Sequence, residues 1–183
     1  MTLWVFLSQV MSIHHGCVWP VAKLITYRVA NGLSACSAQT GAYCIARDKL
    51  DERAMHRLVT ASGQAIEATA PDHWRWLGHR VITADGATVT MADTIENQDA
   101  YPHLTSQAPG CGFPIVRVVV LFALSTAVVP DMALGRYKGK LTHEVSLFRQ
   151  IDEIIEETDV FLADRAYAGW FEIARMMQRG AHE

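Results

Sequence analysis

The chain has 183 residues, of which 50% are hydrophobic and 19% are charged. That composition is typical of a packed globular protein and excludes an intrinsically disordered chain. The formal charge of -3 at pH 7 excludes a general electrostatic attraction to nucleic acid, so any contact with DNA requires local basic patches.

The N-terminal segment predicts neither a signal peptide nor a membrane anchor. Residues 1–12 are apolar, but no Lys or Arg precedes them, and the segment is shorter than the roughly 20 residues of a transmembrane helix. The cysteines at positions 17, 36, 44 and 111 form no Cys-x-x-Cys pair, so we predict a cytoplasmic protein with reduced thiols. An apolar helix so close to residue 1 also predicts that the natural protein begins earlier, because chain termini are usually polar.

Helical spacing predicts an N-terminal helical part over residues 1–70. The dipeptide Asn31-Gly32 ends one periodic segment, and residues 37–40 open the next. Basic residues along these helices are offset by acidic ones, which favours a solvated surface over a DNA-binding one. Residues 71–78 are predicted to be a linker, followed by a second domain over residues 79–183.

Residues 79–94 predict a strand that breaks at Asp85-Gly86 and then resumes. Val81, Thr83 and Asp85 fall on one face of a strand with a two-residue period, which places the Asp85 carboxylate in line with partly buried residues. Burying an ionised carboxylate is costly unless a hydrogen-bonded turn, a cation or a metal balances it. Two interpretations remain open: an Asp-Gly turn in which Asp85 caps its own backbone, and a functional acid.

The middle of the second domain is predicted to be a loop followed by two strands. Residues 95–114 are rich in Asn, Gln, Pro, Gly, Tyr and Ser, and a loop of this length is expected to be functional or mobile. Residues 115–129 are nearly all apolar, which is typical of a buried central strand. Pro130-Asp131 predicts a turn, after which residues 132–137 return as an antiparallel neighbour.

The clearest basic cluster comprises Arg136, Lys138 and Lys140. Such a cluster either contacts a phosphate group of DNA or forms a basic turn on the surface, and the sequence favours neither. A helix with an apolar stripe is predicted over residues 142–155. Glu144 lies in its first turn, where an acidic side chain is expected to stabilise the helix dipole rather than to act in catalysis.

A second acid follows the next predicted strand. Asp164 directly follows the apolar run over residues 160–163, so it lies at the carboxyl end of that strand. Functional sites of open α/β sheets are found at the carboxyl ends of the strands. By itself, Asp164 is also explained as a helix N-cap or as the partner of Arg165 in a salt bridge. Together, Asp85 and Asp164 predict a shared cation site.

The order of the elements predicts the fold class. The predicted fold is a mixed α/β (α+β) sheet of the ribonuclease-H-like type, placed after the helical N-terminal part. It suits the predicted order of elements, which is a strand with an acid, two further strands, a helix, a strand ending in an acid and a last helix. The first and fourth strands are neighbours in that fold, which would bring Asp85 and Asp164 together. Such carboxylates hold two divalent cations about 4 Å apart for phosphodiester cleavage, and Mg2+ prefers hard oxygen ligands.

A series of short motifs runs along the chain. The motifs are Leu3-Trp-x-Phe-Leu-Ser-Gln, Thr40-Gly-Ala-Tyr-Cys-x-Ala-Arg47, Asp85-Gly-x-Thr-Val-x-Met-x-Asp-Thr94, Glu96-Asn-Gln-x-x-Tyr-Pro102, Gly112-Phe-Pro-Ile115, Tyr137-Lys-Gly-Lys140 and Leu162-Ala-Asp-Arg-x-Tyr167. In this order they resemble the DDE transposases of the IS-four-like insertion sequences, over essentially the whole chain.

The resemblance implies a site, a reaction and partners. Asp85 and Asp164 would be the catalytic, metal-binding acids, with Mg2+ or Mn2+ as the cofactor. Arg165 and Tyr167 belong to the motif around the second acid. The reaction would be cleavage of transposon ends in double-stranded DNA and strand transfer of the 3′ hydroxyl, at the bacterial nucleoid, by a homo-oligomer or in a pair with an intact transposase. The residues expected to bind DNA are Arg136, Lys138, Lys140, Arg165 and Tyr167.

The sequence departs from the family at its third acid. That acid is a Glu in a Tyr-x-x-Arg-x-x-x-Glu pattern, which is absent here, and Glu183 lacks the preceding Tyr and Arg. We therefore expect a transposase truncated at both ends, or one piece of a split one, with an incomplete ribonuclease-H-like sheet that lacks its last strand. Such a chain is expected to be inactive or poorly active alone. The alternatives are a non-catalytic DNA-binding or regulatory fragment and a decayed reading frame.

Overall fold

A computed structural model describes residues 1–104 and 112–182 of the chain. The chain divides into two compact units, residues 1–55 and 56–183. Helices are followed by a four-stranded mixed sheet, which confirms the predicted α/β class and is consistent with a partial ribonuclease-H-like fold. None of the helices in the described part of the chain is long and apolar enough to cross a membrane.

The first unit is helical, as the spacing of its apolar residues predicts. Its small core contains the buried side chains of Val5, Val21 and Tyr43. Gln9 is also buried, and its amide donates a hydrogen bond of 2.7 Å to the carbonyl of His15, while the Tyr43 hydroxyl donates to Gln9 Oε1. The buried amide is therefore satisfied at both ends. The helices that lie in or begin in this unit are α1 (Thr2–Val10), α2 (Val18–Ala30), α3 (Gly41–Arg47) and α4 (Glu52–Glu67).

The second unit is built on a sheet in the order β3-β2-β1-β4. Its strands are β1 (Val81–Thr90), β2 (Ile115–Ala123), β3 (Val128–Arg136) and β4 (Val160–Ala163). β2 pairs antiparallel with both β1 and β3, whereas β4 pairs parallel with β1. The prediction that the first and fourth strands are neighbours is therefore confirmed. His182 forms an isolated parallel bridge with Val160, on the outer edge of β4.

Short helices and turns cover the sheet and join its strands. The remaining helices are α5 (Ile95–Ala100), α6 (Glu144–Phe148) and α7 (Trp170–Gln178), with 3-10 turns at Asp72–Trp74 and Asp152–Ile154. The core of the unit combines one face of the sheet, including Ile82 and Val119, with Phe148 of α6. The rings of Phe148 and Phe161 stack with their centroids 5.1 Å apart, which ties α6 to β4.

The predicted break of the first strand at Asp85-Gly86 is wrong. β1 continues through both residues, because Asp85 pairs with Val120 and Gly86 pairs with Val119 of β2. A regular ladder satisfies the backbone groups that a turn would otherwise have to satisfy. Pairing with a central strand thus overrides the local turn tendency of Asp-Gly.

The predicted boundary between the second and third strands is also wrong. The reversal lies at residues 124–127, where Ala127 has a positive φ of 55°. Pro130 lies inside β3, next to a shift of the register between Leu121 and Ala123. Because β3 is an edge strand with an irregular ladder, the missing N–H of proline is tolerated there.

The predicted loop and the predicted long helix are each only partly correct. Residues 95–114 contain α5, whose first turn is capped by the Thr94 hydroxyl, and residues 105–111 lie outside the described part of the chain. The helix predicted over residues 142–155 is shorter, since α6 ends at Phe148. The chain then turns so that the fully buried Asp152 forms ion pairs with Arg175 and Arg179.

A buried ion pair joins the start of β1 to the start of β4. Arg80 Nε donates a 3.0 Å hydrogen bond to Asp159 Oδ1, and Arg80 Nη2 donates to the carbonyl of Ile154 at 2.9 Å. The two side chains are only 12% and 5% exposed. The guanidinium also lies 3.9 Å from Glu156, whose side chain is 75% exposed.

We expect Asp159→Ala to lower the free energy of unfolding by about 3 to 5 kcal/mol, because it leaves the Arg80 charge buried without its partner. Glu156→Ala removes the other carboxylate from the same guanidinium and should cost about 1 kcal/mol or less, because that carboxylate is solvated. Urea unfolding of the two variants measures both values. Equal losses would contradict the assignment of Asp159 as the main partner.

Candidate functional site

The two predicted acids lie on neighbouring strands at the same level of the sheet. In the parallel pairing of β1 with β4, Ala84 is the register partner of Ala163. Asp85 and Asp164 are the next residues on the two strands, at the carboxyl end of β4. Because neighbouring strands lie about 4.8 Å apart, this register brings the backbones of Asp85 and Asp164 to the same end of the strand pair.

Both carboxylates are exposed to solvent. Val81 and Thr83, which share the face of Asp85, are buried and half-buried as expected, whereas Asp85 itself lies just beyond the part of β1 that pairs with β4. That strand ends at Ala163, so no strand continues beside Asp85 to cover it. Ile82 and Ala84, which point to the opposite face of β1, are buried in the main core of the unit.

Each acid accepts a local backbone hydrogen bond. Asp85 Oδ1 accepts from the N–H of Gly86 at 2.8 Å, and Asp164 Oδ1 accepts from the N–H of Ala166 at 2.7 Å. These bonds orient the carboxylates and leave the Oδ2 atoms for another partner. No ion pair joins either acid to a basic side chain in the described part of the chain, so the alternative salt bridge between Asp164 and Arg165 is not formed.

Glu144 reaches the same region from α6. A Cβ atom placed on Gly86 would lie 2.4 Å from Glu144 Cδ and 2.7 Å from Glu144 Oε2. The carboxylate therefore lies directly over the backbone of the residue that follows Asp85. Glu144 occupies the first turn of α6, as predicted, but its contact with β1 was missed. The available signal was the glycine, because glycine inside a strand often marks the close approach of another group.

Tyr167 lies beneath the acids, in the core. Its side chain is 2% exposed, it packs edge-on against Phe148, and its hydroxyl has no hydrogen-bond partner among the described residues. Burial, followed by the negative charges of Glu144, Asp164 and Asp85, raises the pKa of Tyr167 to about 12. The ring is therefore part of the core packing. A contact with DNA would require the ring to lie on the surface.

The predicted DNA-binding cations Arg136, Lys138, Lys140 and Arg165 are all exposed. Arg136 Nε also donates a 2.8 Å hydrogen bond to the carbonyl of Ala100, at the end of α5.

Arg117 of β2 is a cation that the sequence did not single out. It lies over the ring of Tyr137 at 4.9 Å and donates a 2.9 Å hydrogen bond to the carbonyl of Thr142. It therefore holds both ends of the segment that carries Lys138 and Lys140. Sequence spacing does not distinguish an arginine with this role from an ordinary surface arginine in a strand.

The donor set at Asp85 and Asp164 fits a hard divalent cation. Mg2+ is commonly held by one or two carboxylates and keeps several of its waters, and two exposed, adjacent carboxylates with unused oxygens meet that requirement. Within residues 1–104 and 112–182, no group of three or more His, Cys, Asp or Glu side chains forms a ready-made metal centre. The residues therefore fit an open, water-rich site rather than a closed one.

Ionisation of Tyr167 should lower the free energy of unfolding at alkaline pH. Its folded-state pKa of about 12 lies above the ordinary value of 10.0, so its contribution to stability is complete below about pH 10 and is lost as the pH rises towards about 12. Tyr167→Phe should remove about 2 kcal/mol of the alkaline decrease in the free energy of unfolding. At pH 7 the same substitution should not lower that free energy, because it deletes a buried hydroxyl that has no partner among the described residues. Urea unfolding at a series of pH values measures this. Tyr27→Phe, at an exposed ring, should keep the wild-type pH dependence, and an unchanged pH dependence in Tyr167→Phe would contradict the assignment.

Comparison with known proteins supports a relationship to transposases. Transposase InsG of the insertion sequence element IS4, from Escherichia coli strain K12, is 28% identical to the chain over 122 residues. The aligned part covers 67% of this chain and 27% of that transposase, so the chain spans about a quarter of its relative. No protein-family model matches the chain, and no solved structure matches it either. The similarity supports a relationship to transposases of the IS4 type.

Proposed function

We propose that the chain is derived from a DDE transposase and that Asp85 and Asp164 hold a divalent cation, Mg2+ or Mn2+, for cleavage of DNA at transposon ends. The observation that carries the proposal is the register of β1 and β4, in which Ala84 is opposite Ala163 and the two acids follow at the next position. The similarity to the IS4 transposase agrees with that chemistry.

In this proposal, Asp85 and Asp164 bind the cation, and the cation acts on the DNA phosphate. A bound Mg2+ supplies positive charge to phosphate oxygens and lowers the pKa of a bound water. Asp85 and Asp164 would hold the cation, and the N–H groups of Gly86 and Ala166 fix one oxygen, Oδ1, of each carboxylate. Because these backbone hydrogen bonds fix one oxygen of each carboxylate, a phosphate would meet an oriented site.

Double-stranded DNA is the proposed substrate and partner. The chain carries a net charge of -3, so local cations have to supply the attraction. Lys138, Lys140 and Arg165 are exposed, and Arg165 directly follows Asp164 in the chain. Arg136 positions the backbone through Ala100. We assign the phosphate contacts to Lys140 and Arg165, and Arg136 is exposed as well.

The activity of the chain alone is proposed to be low. The Tyr-x-x-Arg-x-x-x-Glu pattern that carries the third acid of the family is absent from the sequence. Two carboxylates bind a cation but leave a second cation without enough ligands. The third acid would come from a homo-oligomer partner or from an intact transposase.

A non-catalytic DNA-binding or regulatory role is the second candidate. It is favoured by the absence of a ready-made three-ligand centre among residues 1–104 and 112–182. In that role the chain would occupy transposon ends without cutting them. The two functions differ in whether DNA binding requires a divalent cation.

Cation binding should stabilise the folded chain, since a ligand that binds only the folded state raises its free energy of unfolding. We expect Mn2+ to raise the melting temperature of the wild type but not that of Asp85→Asn or Asp164→Asn. Asparagine keeps the local hydrogen bond of a cap, so a purely structural role for either acid predicts no difference. Asp72→Asn, at an exposed aspartate elsewhere in the second unit, is the control and should respond like the wild type.

Nicking of end-bearing DNA is the companion assay. We expect little or none from the chain alone. Strong nicking that disappears in both Asp85→Ala and Asp164→Ala would show that the chain is active without a third acid from another source.

DNA affinity tests the assigned cations. Lys140→Ala and Arg165→Ala should each weaken binding to end-bearing and unrelated DNA alike, and each should reduce the slope of log affinity against log salt by about 0.9. Fluorescence anisotropy at several salt concentrations measures both effects. Glu153→Gln, which removes a charge of the opposite sign from an exposed turn, should leave the slope unchanged. Binding that persists without divalent cations would favour the regulatory role.

A further inference from the structure

Two cysteines of the first unit lie close together. Cys17 directly precedes α2, and Cys44 lies in α3. Their Sγ atoms are 3.8 Å apart, although the two residues are 27 positions apart in the chain. Both are free thiols, and both residues are partly exposed. A small oxidant can therefore reach two thiols that the fold has already brought together.

Hydrogen bonds distinguish the two sulfur atoms. The Cys44 thiol donates to Cys17 Sγ, and this bond is the main reason, ahead of burial, that the pKa of the Cys44 thiol is raised. Cys17 Sγ also accepts from Gln9 Nε2 at 3.5 Å and from Arg47 Nη1 at 3.9 Å. Donors and a positive charge stabilise negative charge on sulfur, and the thiolate is the nucleophilic form of cysteine. Cys17 is therefore placed as the attacking sulfur, and Cys44 as the thiol that keeps its proton.

A buried amide holds the surroundings of the pair in place. Gln9 is 8% exposed, its Nε2 also donates to the carbonyl of His15 at 2.7 Å, and its Oε1 accepts from the Tyr43 hydroxyl. Tyr43 belongs to the core of the first unit, and Cys17 packs against that core. Because Tyr43 directly precedes Cys44 in α3, the same core positions the backbones of both cysteines.

We propose that Cys17 and Cys44 form a site of reversible oxidation, at which hydrogen peroxide converts the two thiols into a disulfide. The Cys17 thiolate attacks one peroxide oxygen and the O–O bond breaks, which leaves a sulfenic acid at Cys17. The departing hydroxide takes up the proton that Cys17 had lost and becomes water. Cys44 then attacks the Cys17 sulfur, so that the S–S bond forms, the S–O bond breaks and a second water leaves. Two electrons pass from the sulfurs to the peroxide.

The disulfide would join the start of α2 to α3 beside the small core of the first unit. A disulfide bond requires sulfur atoms about 2.0 Å apart, so the two side chains have to rotate towards each other. Closing a loop in the chain reduces the entropy of the unfolded state, and oxidation is therefore expected to stabilise the unit. Transient disulfides of this kind are typical of redox-sensing sites in reducing compartments. This modification is independent of the cation site.

The test is mass spectrometry of the chain after treatment with hydrogen peroxide. Trypsin leaves Cys36 and Cys44 in one peptide, residues 29–47, so chymotrypsin is added to cleave after Tyr43 and separate them. We expect peptides linked through Cys17 and Cys44, and we expect dithiothreitol to remove the link. Cys36 is another partly exposed free thiol of the same unit, and the control Cys36→Ser should form the same link. Links to Cys36 as frequent as those to Cys44 would overturn the proposed pair.

Single variants test which sulfur attacks the peroxide. Cys44→Ser lacks the second thiol, so a sulfenic acid should accumulate at Cys17 and be trapped by dimedone. In Cys17→Ser, Cys44 should form little or no dimedone adduct. Adding Arg47→Met to the Cys44→Ser chain removes a charged donor from Cys17 and should slow adduct formation. Adducts that form at Cys44 as fast as at Cys17 would overturn the assigned roles, and circular dichroism confirms that each variant is folded.

Hydrogen–deuterium exchange tests whether the disulfide stabilises the first unit. Oxidation should slow the exchange of backbone amides in α2 and α3, because fewer local openings occur in a cross-linked unit. Dithiothreitol should restore the original rates, while the strands of the second unit should exchange equally in both states. Unchanged exchange in a chain whose link between Cys17 and Cys44 is complete would overturn the stabilising effect.

Discussion

The parallel pairing of β1 with β4 is the constraint on which the candidate site depends. It brings together residues that are far apart in the chain, and its register decides which side chains share a level. The pair of Arg80 with Asp159 holds the start of both strands. A shift by one residue would exchange the faces of β4 and separate Asp85 from Asp164. Site geometry and folding stability therefore rest on the same contact.

The site lies at the boundary between a dry core and solvent. Below it, Phe148 and Phe161 stack and fill the space between α6 and the sheet. Above it, the end of β4 leaves the aspartates exposed. Tyr167 marks the boundary, since its ring belongs to the core and its hydroxyl responds to the charges above.

Local sequence patterns predicted the strands better than the turns. Strands form within the segments predicted over 79–94, 115–129 and 160–163, because apolar side chains need a face to bury whatever the detailed connection. The turns expected at Asp85-Gly86 and Pro130-Asp131 are not formed. Both dipeptides favour turns in isolation, but Asp85, Gly86 and Asp131 pair with residues of β2 in the ladder. Turn tendency is weak compared with the cost of leaving those groups unpaired.

The order of the elements and the presence of an acid at Asp85 and at Asp164 follow from the sequence by itself, since both depend on patterns within a few residues. Only the tertiary structure decided that these acids are exposed, that Tyr167 is buried, and that Glu144 lies over Gly86. Those features depend on where β4 ends and on how α6 packs against a distant strand. No local periodicity records such contacts, because the partners are brought together only when the chain folds.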